Sequence, residues 1–129
     1  KPFIDLSVDK LQIRQLGYVP DEDLALLMSQ ATAFVFPSWY EGFGIPNLEA
    51  MACGVPVLAS DIPAHKEVVG EAGVLITPGD PDAWAQALSE IGDRPDVRTE
   101  WIARGFQRVQ EYSWEKTAQK TLEVLKSLV

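Results

Sequence analysis

Apolar and polar positions alternate from Leu11 to Tyr18, the period of two expected of a half-buried strand. Pro20-Asp21-Glu22-Asp23 then opens a predicted helix running through Gln30, its carboxylates placed where the helix dipole favours them. Ala33-Phe34-Val35-Phe36-Pro37 is a short apolar run suited to a strand buried on both faces. Val55 to Ser60 predicts a second such strand, Pro63 to Val69 a short helix, and Gly73 to Thr77 a third strand. Pro78-Gly79-Asp80-Pro81 is a turn in which Asp80 can cap a helix starting at Pro81, with Trp84, Ala87, Leu88 and Ile91 as its apolar stripe. Asp93-Arg94-Pro95-Asp96 breaks that helix, and Val97 to Tyr112 and Ser113 to Leu128 predict two amphipathic helices. Ser113 can cap the second, although Lys116 stands where a capping box wants an acid or amide. The aromatic residues Trp101, Phe106, Tyr112 and Trp114 are expected in the core.

Strands alternating with helices imply a parallel sheet, right-handed crossovers and helices on both faces. The expected fold class is α/β, a doubly wound, Rossmann-like sheet. The 129 residues fit one domain, 1–129, with an uncertain start over 1–10 and C-terminal helices over 95–129.

Composition narrows the function classes. A hydrophobic share of 47% with 23% charged residues is ordinary for a soluble globular protein. A net charge of -8 argues against nucleic acid or an anionic membrane as partner, because both are recognised through clustered Lys and Arg. No run of about 18 apolar residues is present, so a soluble chain is expected. The single cysteine, Cys53, reads as a small packing residue, and the single histidine, His65, as a solvated position on a short helix. One of each cannot assemble a zinc site or a Cys-His nucleophile pair in the usual way, so no metal is expected.

Chemistry concentrates in Trp39-Tyr40-Glu41-Gly42-Phe43-Gly44-Ile45-Pro46-Asn47-Leu48-Glu49-Ala50-Met51-Ala52-Cys53-Gly54. Gly42 and Gly44 allow close backbone approach or positive φ, and Pro46 suits the first turn of a helix. The unpaired N–H groups of such a turn, with the positive end of the dipole, attract a phosphate or diphosphate. Glu41 precedes the turn and Glu49 lies one helical turn beyond it. Two carboxylates facing a diphosphate from either side can accept hydroxyl hydrogen bonds at both ends, which describes a nucleotide sugar. Spacing alone leaves the ordinary reading open: a strand, a Gly-rich turn and an amphipathic helix occur throughout α/β proteins.

The motifs Gly17-Tyr18-Val19, Val35-Phe36-Pro37-Ser38, Glu41-Gly42-Phe43-Gly44 and Leu48-Glu49-Ala50-Met51-Ala52-Cys53-Gly54-Val55-Pro56-Val57, with Gly73, resemble the C-terminal half of a retaining GT-B glycosyltransferase. The likeness is to the group 1, glycogen synthase-like family, which includes sucrose-phosphate synthases and mannosyltransferases of cell-envelope synthesis, and it spans about residues 16 to 128. It implies that Glu41 contacts the donor sugar as the catalytic carboxylate. It implies donor binding by Gly42, Phe43, Gly44, Asn47 and Leu48 through the turn and first helical turn, and by Glu49 through the ribose hydroxyls. Ser38 and Tyr40 would line the pocket, and Glu67 falls where the family has a Glu after Pro, here after Lys66. The family's Arg and Lys for the diphosphate lie ahead of the matching region.

The function so implied is transfer of a sugar from a nucleotide diphosphate sugar to an acceptor hydroxyl, with retention, no cofactor and no metal. The partners implied are the nucleotide sugar and a missing N-terminal acceptor-binding domain, without nucleic acid. The chain then reads as a fragment that binds the donor and transfers nothing alone, in the cytoplasm or at the membrane periphery in the full-length enzyme. Two alternatives stay open: a GT-B-shaped nucleotide-sugar epimerase, and a non-catalytic module. A truncated domain would leave a sheet edge or helix face uncovered, which favours pairing as a homodimer.

Overall fold

The computed structural model describes residues 14–128. Three short strands, β1 (Phe34–Phe36), β2 (Val57–Ser60) and β3 (Val74–Ile76), form a parallel sheet in the order β1-β2-β3. Phe34 stands opposite Val57, and Leu58 opposite Val74. Among the described residues six α-helices surround them: α1 (Asp21–Ser29), α2 (Ile45–Ala52), α3 (Pro63–Val68), α4 (Pro81–Asp93), α5 (Pro95–Val109) and α6 (Trp114–Lys126). A single 3₁₀ turn, Gly70–Ala72, follows α3.

Proline sets several helix starts. Pro46, Pro63, Pro81 and Pro95 occupy the first or second position of α2, α3, α4 and α5, where the missing N–H leaves no bond unmade. Asp80 caps α4, its carboxylate accepting from the Ala83 N–H at 3.1 Å, and the Ser113 hydroxyl caps α6 through the Lys116 N–H at 3.1 Å.

The alternation of β2 divides the core. Val57 and Ala59 face a cluster built from Ala50 and Met51 of α2, with Val69 and Ala72, joined by Phe34, Phe36 and Leu75. Leu58 faces the other way, onto Ile76 and Ile91, joined by Trp84 and Ala87 of α4 and Trp101 of α5. Every β2 residue is buried, as expected of a strand covered on both faces. Helices α2 and α5 approach closely because Gly105 has no side chain: a methyl there would lie 3.1 Å from Met51 Cγ.

The α/β architecture, the parallel sheet and the helices on both faces match the expectation from sequence. Four local expectations are corrected. Arg14 to Tyr18 is irregular and exposed, with Gly17 at φ 67°, a conformation that breaks an extended run; Leu11 to Ile13 lie outside the described residues. Strand β1 pairs only with β2 among the described residues, so Val35 stays 38% exposed rather than doubly buried. The Asp93 to Asp96 break shrinks to Arg94 alone, because Pro95 starts α5 at once. Helix α6 buries none of its residues: Trp114, expected in the core, is 76% exposed, and Phe106 of α5 is half exposed, while Leu122 and Leu125 of α6 and Leu128 beyond it face outward. Among the described residues no helix is long and apolar enough to cross a membrane.

Candidate functional site

Strand β1 ends at Phe36, and the chain between it and α2 carries the glutamate motif, so the motif occupies the carboxyl end of a parallel strand. Open α/β sheets bind their ligands on that side, where loops lead into helices. Within the loop, the Ser38 hydroxyl donates to Glu41 Oε1 at 2.7 Å and fixes the half-buried carboxylate ahead of the turn. Trp39 and Tyr40 are largely exposed.

The turn itself is tight. Gly44 is the N-cap of α2 at φ 97°, a left-handed conformation that L side chains rarely adopt. Its carbonyl accepts from the Asn47 N–H at 3.0 Å, so the first turn of α2 is closed by its own backbone at that position. Pro46 contributes no N–H, which leaves Ile45 as the remaining amide of the first three helical positions. Gly42 is exposed, Phe43 is partly exposed and lies edge-on to Tyr112 with ring centroids 6.0 Å apart, and Leu48 is half-buried. Glu49, in the second turn of α2, is exposed. The turn and Asn47 are thereby in mutual contact, Glu41 is fixed from Ser38, and Glu49 presents its carboxylate to solvent without a partner among the described residues.

Beneath the turn lies a polar layer that the sequence concealed. Asn47 and His65 are both fully buried, and the side-chain amide of Asn47 and Nε2 of His65 have no hydrogen-bond partner among the described residues. His65 is therefore not a solvated helix position. Its Nδ1 lies 2.9 Å from the Ser60 carbonyl, and its ring packs on Phe36 at 5.2 Å between centroids. A methyl on Gly44 would fall 2.9 Å from Asn47 Nδ2 and 3.1 Å from His65 Cδ2. Only glycine fits over this pair.

Among the surface cavities formed by the described residues, two are of note. One, of about 590 Å³, lies between the 3₁₀ turn and α5 and contains Arg104 and Arg108. It looks suited to an anion until the guanidinium groups are followed. Arg104 pairs with Glu100, and Arg108 is spent on Glu111, the Val68 and Glu67 carbonyls and the Tyr112 hydroxyl. Arg108 thereby ties α5 to the C-terminal carbonyls of α3, and the Tyr112 hydroxyl adds a bond to the Glu67 carbonyl at 3.0 Å. The second cavity, of about 540 Å³, runs along α2 past Phe43, Leu48 and Glu49 to Trp114. It is mainly apolar and borders the glutamate motif. Among the described residues no three His, Cys, Asp or Glu side chains gather as metal ligands.

Residues 10–108 match the family model described as glycosyl transferases group 1. Over 116 residues the chain is 46% identical to the O-antigen chain mannosyltransferase B of Escherichia coli, covering 90% of this chain and 30% of that protein. Over 119 residues it is 38% identical to an alpha-maltose-1-phosphate synthase of Mycolicibacterium smegmatis, covering 85% of this chain and 31% of that protein. Among solved structures, sucrose-phosphate synthase from Thermosynechococcus elongatus aligns with a TM-score of 0.78 and 35% identity, over 88% of this chain and 29% of that one. The chain spans less than a third of the length of these relatives.

Proposed function

The chain belongs to the group 1 glycosyl transferases, and from that premise we propose that residues Glu41 to Glu49 form the donor site of a retaining sugar transfer from a nucleotide diphosphate sugar. The observation that carries this reading is the placement of Gly44. It is a left-handed N-cap at the carboxyl end of β1, with one carboxylate fixed ahead of it by Ser38 and another exposed one turn into α2.

Each part has a chemical task in this reading. The start of α2 takes the diphosphate, with the Ile45 amide and the helix dipole as its positive elements. Glu49 accepts hydrogen bonds from the ribose hydroxyls. Glu41 faces the sugar, its carboxylate held in one orientation by the Ser38 hydroxyl. In the transfer, the bond from the anomeric carbon to the diphosphate oxygen breaks, and its electron pair leaves with the nucleoside diphosphate. The acceptor oxygen bonds to the same carbon, and its proton ends on the departing diphosphate. Retention requires the acceptor to enter from the face the diphosphate leaves. Fixed dipoles at the start of α2 stabilise the charge growing on the leaving group, as preorganised donors do in other enzymes, and no metal is assigned to the step.

The chain matches only 30% of the length of the mannosyltransferase it resembles, and the acceptor side is assigned to the part of such enzymes it does not match. On this reading the chain binds a nucleotide and transfers nothing by itself.

Glu49→Ala tests the assignment. Two hydrogen bonds from ribose hydroxyls to a carboxylate are worth about 1.5–3 kcal/mol or more on loss, roughly a 10- to 100-fold weakening. Calorimetric titration with UDP, GDP and ADP is expected to find one nucleotide that binds, and a Glu49→Ala chain that binds it at least about tenfold more weakly with an unchanged melting temperature. Equal affinity in the two chains would remove Glu49 from the site, and sugar transfer by the chain alone would refute the division of labour.

A further inference from the structure

We infer that His65 is a positioning residue for the proposed donor site: its Nε2 latches the Asn47 side-chain amide and so holds the Gly42 to Gly44 turn in its donor-bound arrangement. The inference rests on the donor-binding reading above and assigns a role to a residue outside the glutamate motif.

The first argument is the proton inventory of the ring. Nδ1 lies 2.9 Å from the Ser60 carbonyl, and a carbonyl oxygen can only accept, so Nδ1 carries the hydrogen. In the neutral imidazole Nε2 is then a bare acceptor. It is buried and unpartnered among the described residues. The Asn47 amide offers two donor hydrogens from a side chain that is equally buried and equally unpartnered. Acceptor and donor border one point: the position of a methyl on Gly44 is 3.4 Å from His65 Nε2 and 2.9 Å from Asn47 Nδ2. That point is left open because Gly44 has no side chain to fill it.

The second argument is energetic. A buried polar group left unpaired costs free energy, so complementary groups bordering one open point are drawn together. One side of the pair is anchored, and any movement of the other is coupled to the turn. The His65 ring is held by Ser60 and packed at a tilt against Phe36, and α3, which carries it, is pinned at its Glu67 and Val68 carbonyls by Arg108. Asn47 sits in the first turn of α2, where its own N–H is bonded to the Gly44 carbonyl. A shift of Asn47 toward Nε2 therefore carries the Gly44 carbonyl and the start of α2 with it. Donor binding at that helix start and closure of the latch are then one event, and each favours the other.

Tyr112 closes the same circuit on the outside. Its hydroxyl bonds to the Glu67 carbonyl and to Arg108, while its ring meets Phe43 in the turn. The turn is thus braced from α3 on two sides, and His65 is the inner brace.

Two substitutions separate the atoms of the ring. In His65→Asn the short amide can still donate to the Ser60 carbonyl but leaves the Nε2 position empty. In His65→Gln the longer side chain reaches the Nε2 position with an amide. With UDP, GDP and ADP as probes, His65→Asn is expected to weaken the nucleotide that binds by about tenfold, the worth of one net hydrogen bond, and His65→Gln to recover most of that affinity. The two variants are expected to melt at similar temperatures. Nitrogen-15 spectra of the unaltered chain supply a readout that fold stability does not move. The His65 Nε2 resonance is expected to shift from a bare to a hydrogen-bonded acceptor as nucleotide is added. Binding that leaves the Nε2 resonance in place, or equal affinities in the Asn and Gln variants, overturns the latch and spares the donor site. Absence of binding by any of the three nucleotides overturns the donor-site reading itself, and the latch with it. The spectra need no variant, so they decide the question even where His65→Asn fails to fold.

Discussion

Gly44→Ala is expected to abolish measurable nucleotide binding and to destabilise the chain by about 2–5 kcal/mol, from a left-handed backbone strain of about 1–2 kcal/mol and an overpacking cost of about 1–3 kcal/mol. Both terms follow from position. At φ 97° an alanine is strained whatever the space around it, and the space is already taken. Its methyl would stand 2.9 Å from Asn47 Nδ2 and 3.1 Å from His65 Cδ2, two side chains that are fully buried. Asn47 can yield only by moving α2, and the His65 ring is fixed between Phe36 and the Ser60 carbonyl. Relief therefore comes from displacing the start of α2, the element assigned to the diphosphate. Urea unfolding measures the stability loss, and titration with UDP, GDP and ADP measures the binding loss. Retained affinity in a folded Gly44→Ala chain would show that the turn's geometry is not needed.

Leu58→Ala should separate fold from site. Leu58 is 0% exposed in the central strand and packs with Ile76 and Ile91, a cluster joined by Trp84 and Trp101. Truncation removes its transfer free energy and leaves a cavity that two tryptophans and a helix cannot readily collapse, a loss of about 2–5 kcal/mol. Domains of this size hold only about 5–15 kcal/mol in reserve, so the melting temperature falls steeply. The Leu58 side chain faces α4, away from the glutamate motif on the α2 side. Nucleotide affinity of the folded fraction is accordingly expected to stay within about twofold at low temperature, in contrast with Gly44→Ala. A Leu58→Ala chain that loses binding in proportion to stability would mean that the site is not locally determined.

What sequence made legible follows the range of the interactions involved. Val55 to Ser60 announces itself as an apolar run, and the prolines at positions 46, 63 and 81 mark helix starts through backbone chemistry local to each residue. The glutamate motif is legible for the same reason: its glycines, Pro46 and the helix that follows are neighbours in the chain. The burial of His65 was not. It lies in Asp61-Ile62-Pro63-Ala64-His65-Lys66-Glu67, a polar stretch on a helix of six residues, too short to display a period. What buries it comes from elsewhere: Phe36 in β1, Gly44 in the turn, and Arg108 in α5 holding the end of the helix. Gly44 was the available signal, since a glycine demanded by close approach requires something to approach.

Two aromatic residues show the opposite failure. Trp114 and Phe106 read as core by composition, yet α6 leaves its apolar residues in solvent and Phe106 is half exposed. Whether an apolar stripe is covered depends on what stands opposite it, and that is not written in the helix that bears it. Arg14 to Tyr18 alternates as a strand does, but a strand needs a partner edge, and Gly17 turns the chain at a positive φ before one is found.

The central claim is that a nucleotide binds at the turn from Glu41 to Glu49, and amide hydrogen exchange with and without nucleotide tests it most directly. The account predicts slowed exchange confined to Gly42 through Glu49 and to the α3 segment around His65, with the face formed by Glu71, Arg104 and Arg108 unchanged. Protection centred on that arginine face instead, with the glutamate turn unaffected, would contradict it.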